Sequence, residues 1–505
     1  MDTVDYQHDQ YKHYLPDWTM IADAVAGERA VKEKGEVYLP RPNPEDKSAE
    51  ALARYAQYKL RAVYSNFVGR THEGLIGIAF KKTPQITLPS GMDYLMDDAD
   101  GSGVGLLGHA QMSLSHILQF GRVGLLVDYP MSQAQVSKAD MVAKGIRATI
   151  TLYDPTCITN WKTSKVGSRN VLSLIVLSEK HEIEGQFDSQ SQAQFRVLRL
   201  GKLQSEKDGA PIRYVVEIWR KDAKLNQWVL VENFQPVDGS GQPWEEIPFQ
   251  FVGSKNNDYL PDKSPLYDLA VLNLAHYRNS ADYEDAAFLT GQPTPYITGL
   301  DVEWRDTLMK EKVFFGSRAV MTGPAGSSIG LLQATANTLV GAAMAEKEKQ
   351  MQALGARLIK PGEVIKTARE VSSDDASAYS VLSLCCDNVS EGYEHAIEWA
   401  CQFMNVTGAS EFDIDTEFID AKIDSQALTA VVATWQAGKL PDADGLNYLR
   451  RIGLIDATKT DETALDEISA NTAGLSLDST DAESVPDNVN QDAARQEIAA
   501  RLLNQ

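Results

Sequence analysis

Apolar positions change their period along the 505-residue chain, and each change predicts a different element. Leu52, Tyr55, Leu60, Val63 and Phe67 fall near one face of a helix predicted from Ala49 to about Val68. Glycines 69, 74 and 77 interrupt the segment that follows. A second helix is predicted over Leu106–Phe120, ending at Gly121, and the apolar run RVGLLVDYP then reads as a buried strand stopped by Pro130. From Ala148 to Phe251 apolar and polar residues alternate. That pattern predicts strands at ATITLYD, NVLSLIVLSEKHEI, AQFRVLRLGKL, RYVVEIWRKD and WVLVENFQ, in an antiparallel sheet with one covered face.

The period returns to helical at Ser264, where Ser264 can cap a helix and Pro265 fits its first turn. This helix runs through Leu266, Leu269, Leu272 and Leu274 towards Phe288 and stops at Gly291-Gln292-Pro293. A return helix, Ala334–Leu358, repeats Val340, Met344, Met351, Leu354 and Leu358 on one seam, with Glu346, Lys347, Glu348 and Lys349 largely off it. Between the two lie a strand at TPYITG, a short helix at VEWRDTLMK and a strand at KVFFGSRAVMTG. Narrow seams and charged outer faces suit either a core hairpin or staves that pack against identical neighbours. Lys360-Pro361-Gly362 then requires a loop or kink, and a long helix is predicted to about Met404. A strand-like EFDIDTEFIDAKI leads to helices at Gln426–Ala437 and Asp442–Ile452. A Ser/Asp/Asn-rich stretch from Asn471 to Asn490 is expected to be disordered, before a short helix at Gln491–Leu503. The opening 47 residues, with scattered aromatics and PRPNPEDKS, read as an arm and a linker. The whole is α+β, with no internal repeat.

Hydrophobic content of 43% predicts a folded body, and no apolar run approaches the roughly 20 residues that span a bilayer. MDTVDYQHDQYKHYLPDW at the start is polar and acidic, unlike a signal peptide. Cys157, Cys385, Cys386 and Cys401 lack metal or redox spacing and read as free thiols in a reducing compartment. Net charge is −22, of which residues 361–505 carry −18, from 27 acidic and 9 basic residues. Tight DNA binding needs a basic surface to neutralise phosphates, so this balance argues against a conventional DNA-gripping protein. It suits an acidic channel wall and an ordinary acidic protein equally.

Catalytic signals fail on inspection. The phosphate-binding string G-x-x-x-x-G-K-[ST] is missing, so VGLLVD, ending at Asp128, reads as a buried strand rather than as half of a nucleotide site. DDADGSG (Asp97–Gly103) places Met96 and Leu107 where a calcium loop needs carboxylates, which leaves a turn. GSGVG (Gly101–Gly105) lacks the strand and ribose-binding acid of a nucleotide site. His72-Glu73 is followed by Ile76 where a zinc motif needs histidine, and His276 reads as a packing or hydrogen-bonding residue. Asp413, Asp415 and Glu417 alternate, so on a strand they share one face: a cation site or, more simply, a solvated sheet edge. No nucleophile elbow occurs. The expectation is a non-enzymatic chain with no cofactor and no metal.

The runs IPFQF (Ile247–Phe251), SPLYDLAVLNLAHYRNSADYEDAAFLTGQPTPYITG (Ser264–Gly299), QMQALGARLI (Gln350–Ile359) and KTARE (Lys366–Glu370) resemble those of tailed-phage portal proteins. They resemble in particular a portal-like family of head-to-tail connectors known mainly from sequence. The resemblance covers about Ala49 to about Ile468, and its motifs mark a scaffold rather than a reaction. It implies the portal fold: a wing, a stem of two long helices, an α/β clip and a helical crown. On this chain these fall as an N-terminal arm and linker over 1–47 and a wing over 48–262. Stem helices take 263–290 and 334–358 around a clip at 291–333, and a tunnel loop takes 359–372. A wing helix and strand would occupy 373–420, the crown 421–470, and an acidic tail 471–505.

What the resemblance implies for function is mechanical. Twelve copies would form a ring-shaped channel at one capsid vertex of the virion, assembled in the host cytoplasm without a membrane. Double-stranded DNA would pass through during packaging and ejection. The ring would dock the large terminase subunit, later a neck or adaptor protein and tail components, and would nucleate the major capsid protein, with or without a scaffolding protein. DNA-facing channel candidates are Arg357, Lys360, Lys366 and Arg369. The plainer reading of Arg357 and Lys360 is helix C-terminal charges that favour the dipole. The alternatives are another head-tail structural protein, such as an adaptor or tail component, or a soluble acidic hydrolase. Adaptors are usually much shorter, and tail-tube proteins lack the long hairpin.

Overall fold

The computed structural model describes residues 3–129, 145–185, 187–202, 212–222, 226–291, 294–310, 324–332, 338–359 and 380–416, together with 418 and 463. Contacts divide the chain into Met1–Thr416 and Glu417–Gln505, and every element below belongs to the first unit. The expected crown (Thr463 aside), the acidic tail, the strand KVFFGSRAVMTG and the loop after Ile359 lie outside the described residues.

The opening segment is more ordered than its composition suggests. Helix α1 (Asp9–Ala26) begins where the His8 ring accepts the Gln10 N–H, and it buries Tyr11, Trp18, Ile21 and Ala24. The Trp18 indole donates to the Phe120 carbonyl at 2.9 Å. The aromatics that seem scattered in the sequence therefore recur at helical spacing on one inward face. Helix α2 (Glu28–Glu33) follows, and PRPNPEDKS has no helix or strand. Ser48 then caps α3 (Ala49–Arg61) by accepting the Ala51 N–H at 3.2 Å.

One helix was expected from 49 to 68, and the structure has two. Residues 62–66 break the run, Asn66 caps a new helix by accepting the Gly69 N–H, and α4 spans Phe67–Ala79 through all three glycines. After β1 (Gln85–Thr87), the acidic stretch closes on itself as a turn. Asp100 accepts from Ser102 and Val104, Asp98 accepts from Gly103, and Arg147 pairs with Asp98. The carboxylates are spent on backbone and arginine rather than on a calcium ion.

Helix α5 (Leu106–Phe120) ends at Gly121, whose φ of +81° is left-handed. A Cβ there would stand 2.4 Å from the Asp262 carbonyl oxygen, so glycine is required twice over. The expected buried strand follows as β2 (Arg122–Asp128). Five long antiparallel strands come after β3 (Thr149–Tyr153): β4 (Ile158–Val166), β5 (Arg169–Glu184), β6 (Ser189–Gly201), β7 (Arg213–Lys221) and β8 (Trp228–Phe234). These five pair in sequence order as one sheet. Strand β3 instead joins β2 and β9 (Phe249–Gly253) in a separate sheet of order β3-β2-β9. Alternation predicted β5 to β8 and placed β3 with them; it did not find β4.

Arg122, only 2% exposed, links the two sheets. Its guanidinium lies 3.6 Å from the Phe251 ring centroid and 4.7 Å from that of Trp161 and donates to the Tyr259 carbonyl. Burial draws its pKa down to about 9, against the charges of Asp258 and Asp262.

The chain continues through α6 (Tyr267–Thr290), β10 (Thr294–Thr298), α7 (Val302–Lys310), β11 (Ser328–Leu332) and α8 (Thr338–Ile359). Helix α9 (Val381–Met404) and β12 (Glu411–Asp413), which pairs with β1, complete the unit. Ser264 does not cap α6, because its hydroxyl accepts the Leu266 N–H two residues later and donates to the Leu118 carbonyl.

Helix α9 is the central rod of the core. It packs on β2, β9 and α5, and a Cβ at Gly392 would meet Val252 at 2.5 Å, so the helix approaches its sheet closely. All four cysteines are free, and burial raises their thiols, Cys385 to about 12, which keeps them unreactive.

Tyr393 on α9 meets His109 Nδ1 at 2.6 Å and Ser113 Oγ at 2.7 Å, all three buried. Burial draws His109 down to about 4. The unfolded chain therefore takes up this proton more readily than the folded one. Its contribution is full above about pH 6.5 and is lost as pH falls towards 4, roughly 3 kcal/mol in all. Denaturant titrations across that window are expected to show a shallower decline for His109→Gln than for the natural chain.

Candidate functional site

The two long helices anticipated in the sequence form an antiparallel hairpin, α6 against α8, that carries β10, α7 and β11 at its turn. Helix α6 has 24 residues and so extends about 36 Å. Its two halves differ sharply. Leu269, Ala270, Leu274, Tyr277 and Ala281 are buried, whereas no residue from Asp282 to Thr290 is.

The proximal half is fixed by polar residues that a simple apolar helix would not contain. Asn273, fully buried, accepts the N–H groups of Phe67 and Val68 at 3.0 and 3.2 Å and donates to the Ser65 carbonyl at 2.9 Å. Ser280 accepts the Val63 N–H and lies 2.7 Å from the Val63 carbonyl. Together they satisfy the backbone exposed by the break between α3 and α4. Asn273→Ala strands the buried Val68 N–H and leaves the Phe67 N–H and the Ser65 carbonyl only their bond to each other, so a loss on the order of 2 kcal/mol is expected in a chemical melt. His276, also buried, meets Glu348 Oε1 of α8 at 3.2 Å and ties the two helices together. Met351 is the buried anchor of α8, set against α4 beside Phe67 and Leu75.

At the distal half the neighbours are charged. Tyr58 donates to Asp282 at 2.6 Å, Arg61 pairs with Asp285 at 2.6 Å, and the Arg61 guanidinium stands 4.2 Å over the Phe288 ring. Beyond these ties the surface is apolar and open. Tyr283, Phe288 and Leu289 of α6, Leu339 of α8, Val302 of α7, and Tyr296, Ile329 and Leu331 of the β10–β11 ribbon are exposed by 42 to 73%. Eight large apolar side chains at one end of one hairpin exceed the scattered singles normal on a surface. The outward facing of α6's second half is what sequence periodicity missed, since Phe288 and Leu289 continue the apolar count of the buried half. Tyr58, Arg61, Asp282 and Asp285, sparsely spaced, gave no sequence signal.

The candidate DNA-facing residues are only partly placed. Arg357 is exposed on the last turn of α8. Lys360, Lys366 and Arg369 lie outside the described residues. Asp413 and Asp415 do not share one strand face, because β12 ends at Asp413 and Asp415 lies beyond it, 2.6 Å from Lys82 Nζ. Burial, then Asp415 and Glu411, raises the Asp413 carboxyl. Glu417 is outside the described residues. Among the described residues no cluster of three histidine, cysteine or acidic side chains is suited to a metal, and no helix is long and apolar enough to cross a membrane.

A family described as "Domain of unknown function (DUF4055)" matches residues 265–404, which run from the start of α6 to the end of α9. No curated protein matches the chain. Among solved structures, a chain from the "Neck of native GTA particle computed with C12 symmetry" is 12% identical, with 78% of this chain and 92% of that one covered. A chain from the "Virion of native gene transfer agent (GTA) particle" is also 12% identical, with 84% and 99% covered. One from the "Neck of empty GTA particle computed with C6 symmetry" is 14% identical, with 85% and 99% covered. Each has a TM-score of 0.36, too slight a likeness to transfer a fold or a role. The stretch similar to that family model thus contains the hairpin and α9.

Proposed function

We propose that this chain is a subunit of a ring-shaped channel at a phage capsid vertex, a portal through which double-stranded DNA is packaged and ejected. The single observation that carries the reading is the division of α6: one half sealed into its own subunit, the other presenting apolar side chains outward together with the ribbon. A closed ring built from heterologous contacts needs such a division, because each copy must keep one face for itself and offer another to its neighbour. The resemblance of the sequence over Ala49–Ile468 to portal proteins supplies the rest of the reading.

In this ring α6 and α8 serve as stem, the ribbon and α7 as clip, and the β-rich body as wing. Twelve copies leave a central passage. Arg357, with Lys360, Lys366 and Arg369, meets DNA through its phosphates and without reading its bases. The strongly acidic C-terminal third discourages adhesion, which lets DNA move in both directions. The clip docks the terminase motor and later a neck protein, while the chain itself hydrolyses nothing.

Negative-stain images of the purified chain test this directly. Rings with a central hole, and no phosphate release from ATP above background, are the expected result. A dispersed population of single subunits that turns over ATP overturns it.

A further inference from the structure

The two members of the hairpin are held to the subunit unequally. Helix α6 buries eight residues, and Asn273, Ser280, Asp282 and Asp285 bond it to residues 58–68. Helix α8 is nearly as long, 22 residues against 24, yet Met351 is its one buried residue. Val340, Met344, Leu354 and Leu358, which share its seam, are only half-buried. One deeply buried side chain fixes a point on a rod and leaves its direction to shallow contacts.

The polar tie between the helices adds little restraint. His276 Nε2 meets Glu348 Oε1 at 3.2 Å, but the Glu348 side chain is 44% exposed, where solvent weakens such a pair. The side of α8 that faces α4 is incompletely packed. At Gly355 the two helices come close, since a Cβ there would stand 3.4 Å from Thr71 Cγ2. Beside that contact, a Cβ at Gly74 would meet nothing within 4 Å. Gly74 and Ile78 of α4, with Gln352 and Ala356 of α8, border a groove of about 280 Å³. Glycine and alanine stand where larger side chains would fill it, so the last two turns of α8 forgo the dispersion contacts that would fix them.

We propose that α8 is the moving member of the hairpin: it tilts about Met351 while α6 stays fixed, and its last turns swing towards and away from the groove. Arg357 lies six residues beyond that fulcrum, about 9 Å along the axis. A tilt of about 20° carries its backbone about 3 Å. The consequence for function rests on the channel reading, under which the motion shifts a cation on the wall that DNA passes. The motion itself belongs to the single subunit and does not require that reading.

The test uses spin labels on the full-length chain, diluted into unlabelled chain so that distances within one subunit are read. The four natural cysteines are raised by burial and take no label, which an unaltered chain checks. Arg70 of α4, Arg278 of α6 and Arg357 of α8 are exposed and are replaced by cysteine in pairs. The Arg70–Arg357 distance distribution is expected to be about 3 Å broader than that of Arg70–Arg278, whose helices are bonded together through Asn273. Gly74→Leu, which fills the groove, is expected to narrow the first distribution to the breadth of the second and to leave the second unchanged. Gly74→Ala, which strengthens α4 without filling the groove, is expected to leave both as they were. Gly74→Met, whose flexible side chain adapts to an irregular gap, replaces the leucine variant if that folds poorly. Equal breadth for the two pairs in the natural chain, or a breadth that filling the groove does not reduce, overturns the proposal. Electron microscopy of the same samples reads ring formation separately. Rings with an immobile α8 overturn this proposal alone, and single subunits with a mobile α8 overturn the channel reading alone.

Discussion

Tyr283→Ser, Phe288→Ser and Leu289→Ser, introduced together, are expected to leave the subunit folded and to prevent its assembly. All three residues lie on the open half of α6 and are 42 to 49% exposed, so their loss opens no cavity in the subunit core. The Arg61 guanidinium loses its ring partner in Phe288 but keeps its ion pair with Asp285. Stability should therefore change by about 1 kcal/mol or less. Assembly should respond far more strongly. Burying the exposed halves of three large apolar side chains is worth roughly 3 kcal/mol per contact, more than a hundredfold in each association constant. A closed ring repeats that loss at every contact. Size distribution and thermal melting, measured on the same preparation, separate the two effects.

Trp18→Ala is expected to act in the opposite way, costing about 3–5 kcal/mol of subunit stability. Trp18 is 1% exposed, packs with its ring centroid 5.9 Å from that of Tyr14 and 6.0 Å from that of Tyr11, and donates to the Phe120 carbonyl. Its removal leaves both a cavity and an unsatisfied carbonyl at the end of α5. Guanidinium titration is the measurement, and a loss below about 1 kcal/mol would mean that the first helix is the detachable arm its composition suggests.

The fate of that helix shows where the sequence could be read and where it could not. Long elements with a single burial pattern were legible. The β5–β8 run is marked by apolar and β-branched segments set between polar turns, α9 shows apolar residues at helical spacing, and the hairpin announces itself through its apolar seams, Gly291 and Pro293. Elements whose burial is supplied by distant parts of the chain were not legible. Tyr11, Trp18 and Ile21 are too sparse to mark a helix until α5 covers them. The break between α3 and α4 depends on Asn273 and Ser280, more than 200 residues away, which take over the backbone groups that a continuous helix would have used. Strand β4 is half polar, and only pairing with β5 fixes it.

The candidate site was legible in outline for the same reason. Hairpin and insert follow from local punctuation, and TPYITG and VEWRDTLMK form β10 and α7 as their patterns require. That the far half of α6 is open is a tertiary fact, invisible in a list of leucines and phenylalanines. The carboxylates at 413 and 415 illustrate the converse. Alternation suggested a shared face, but the strand ends at Asp413 and Lys82 takes Asp415, so these two carboxylates do not share a strand face.

The central claim is that the open half of the hairpin exists to meet copies of itself around an axis. Native mass measurement of the full-length chain tests it most directly. The account predicts a closed assembly of about twelve copies that disperses to single subunits in the Tyr283, Phe288 and Leu289 triple variant. A single mass equal to one chain for the natural protein, at concentrations well above micromolar, would contradict it.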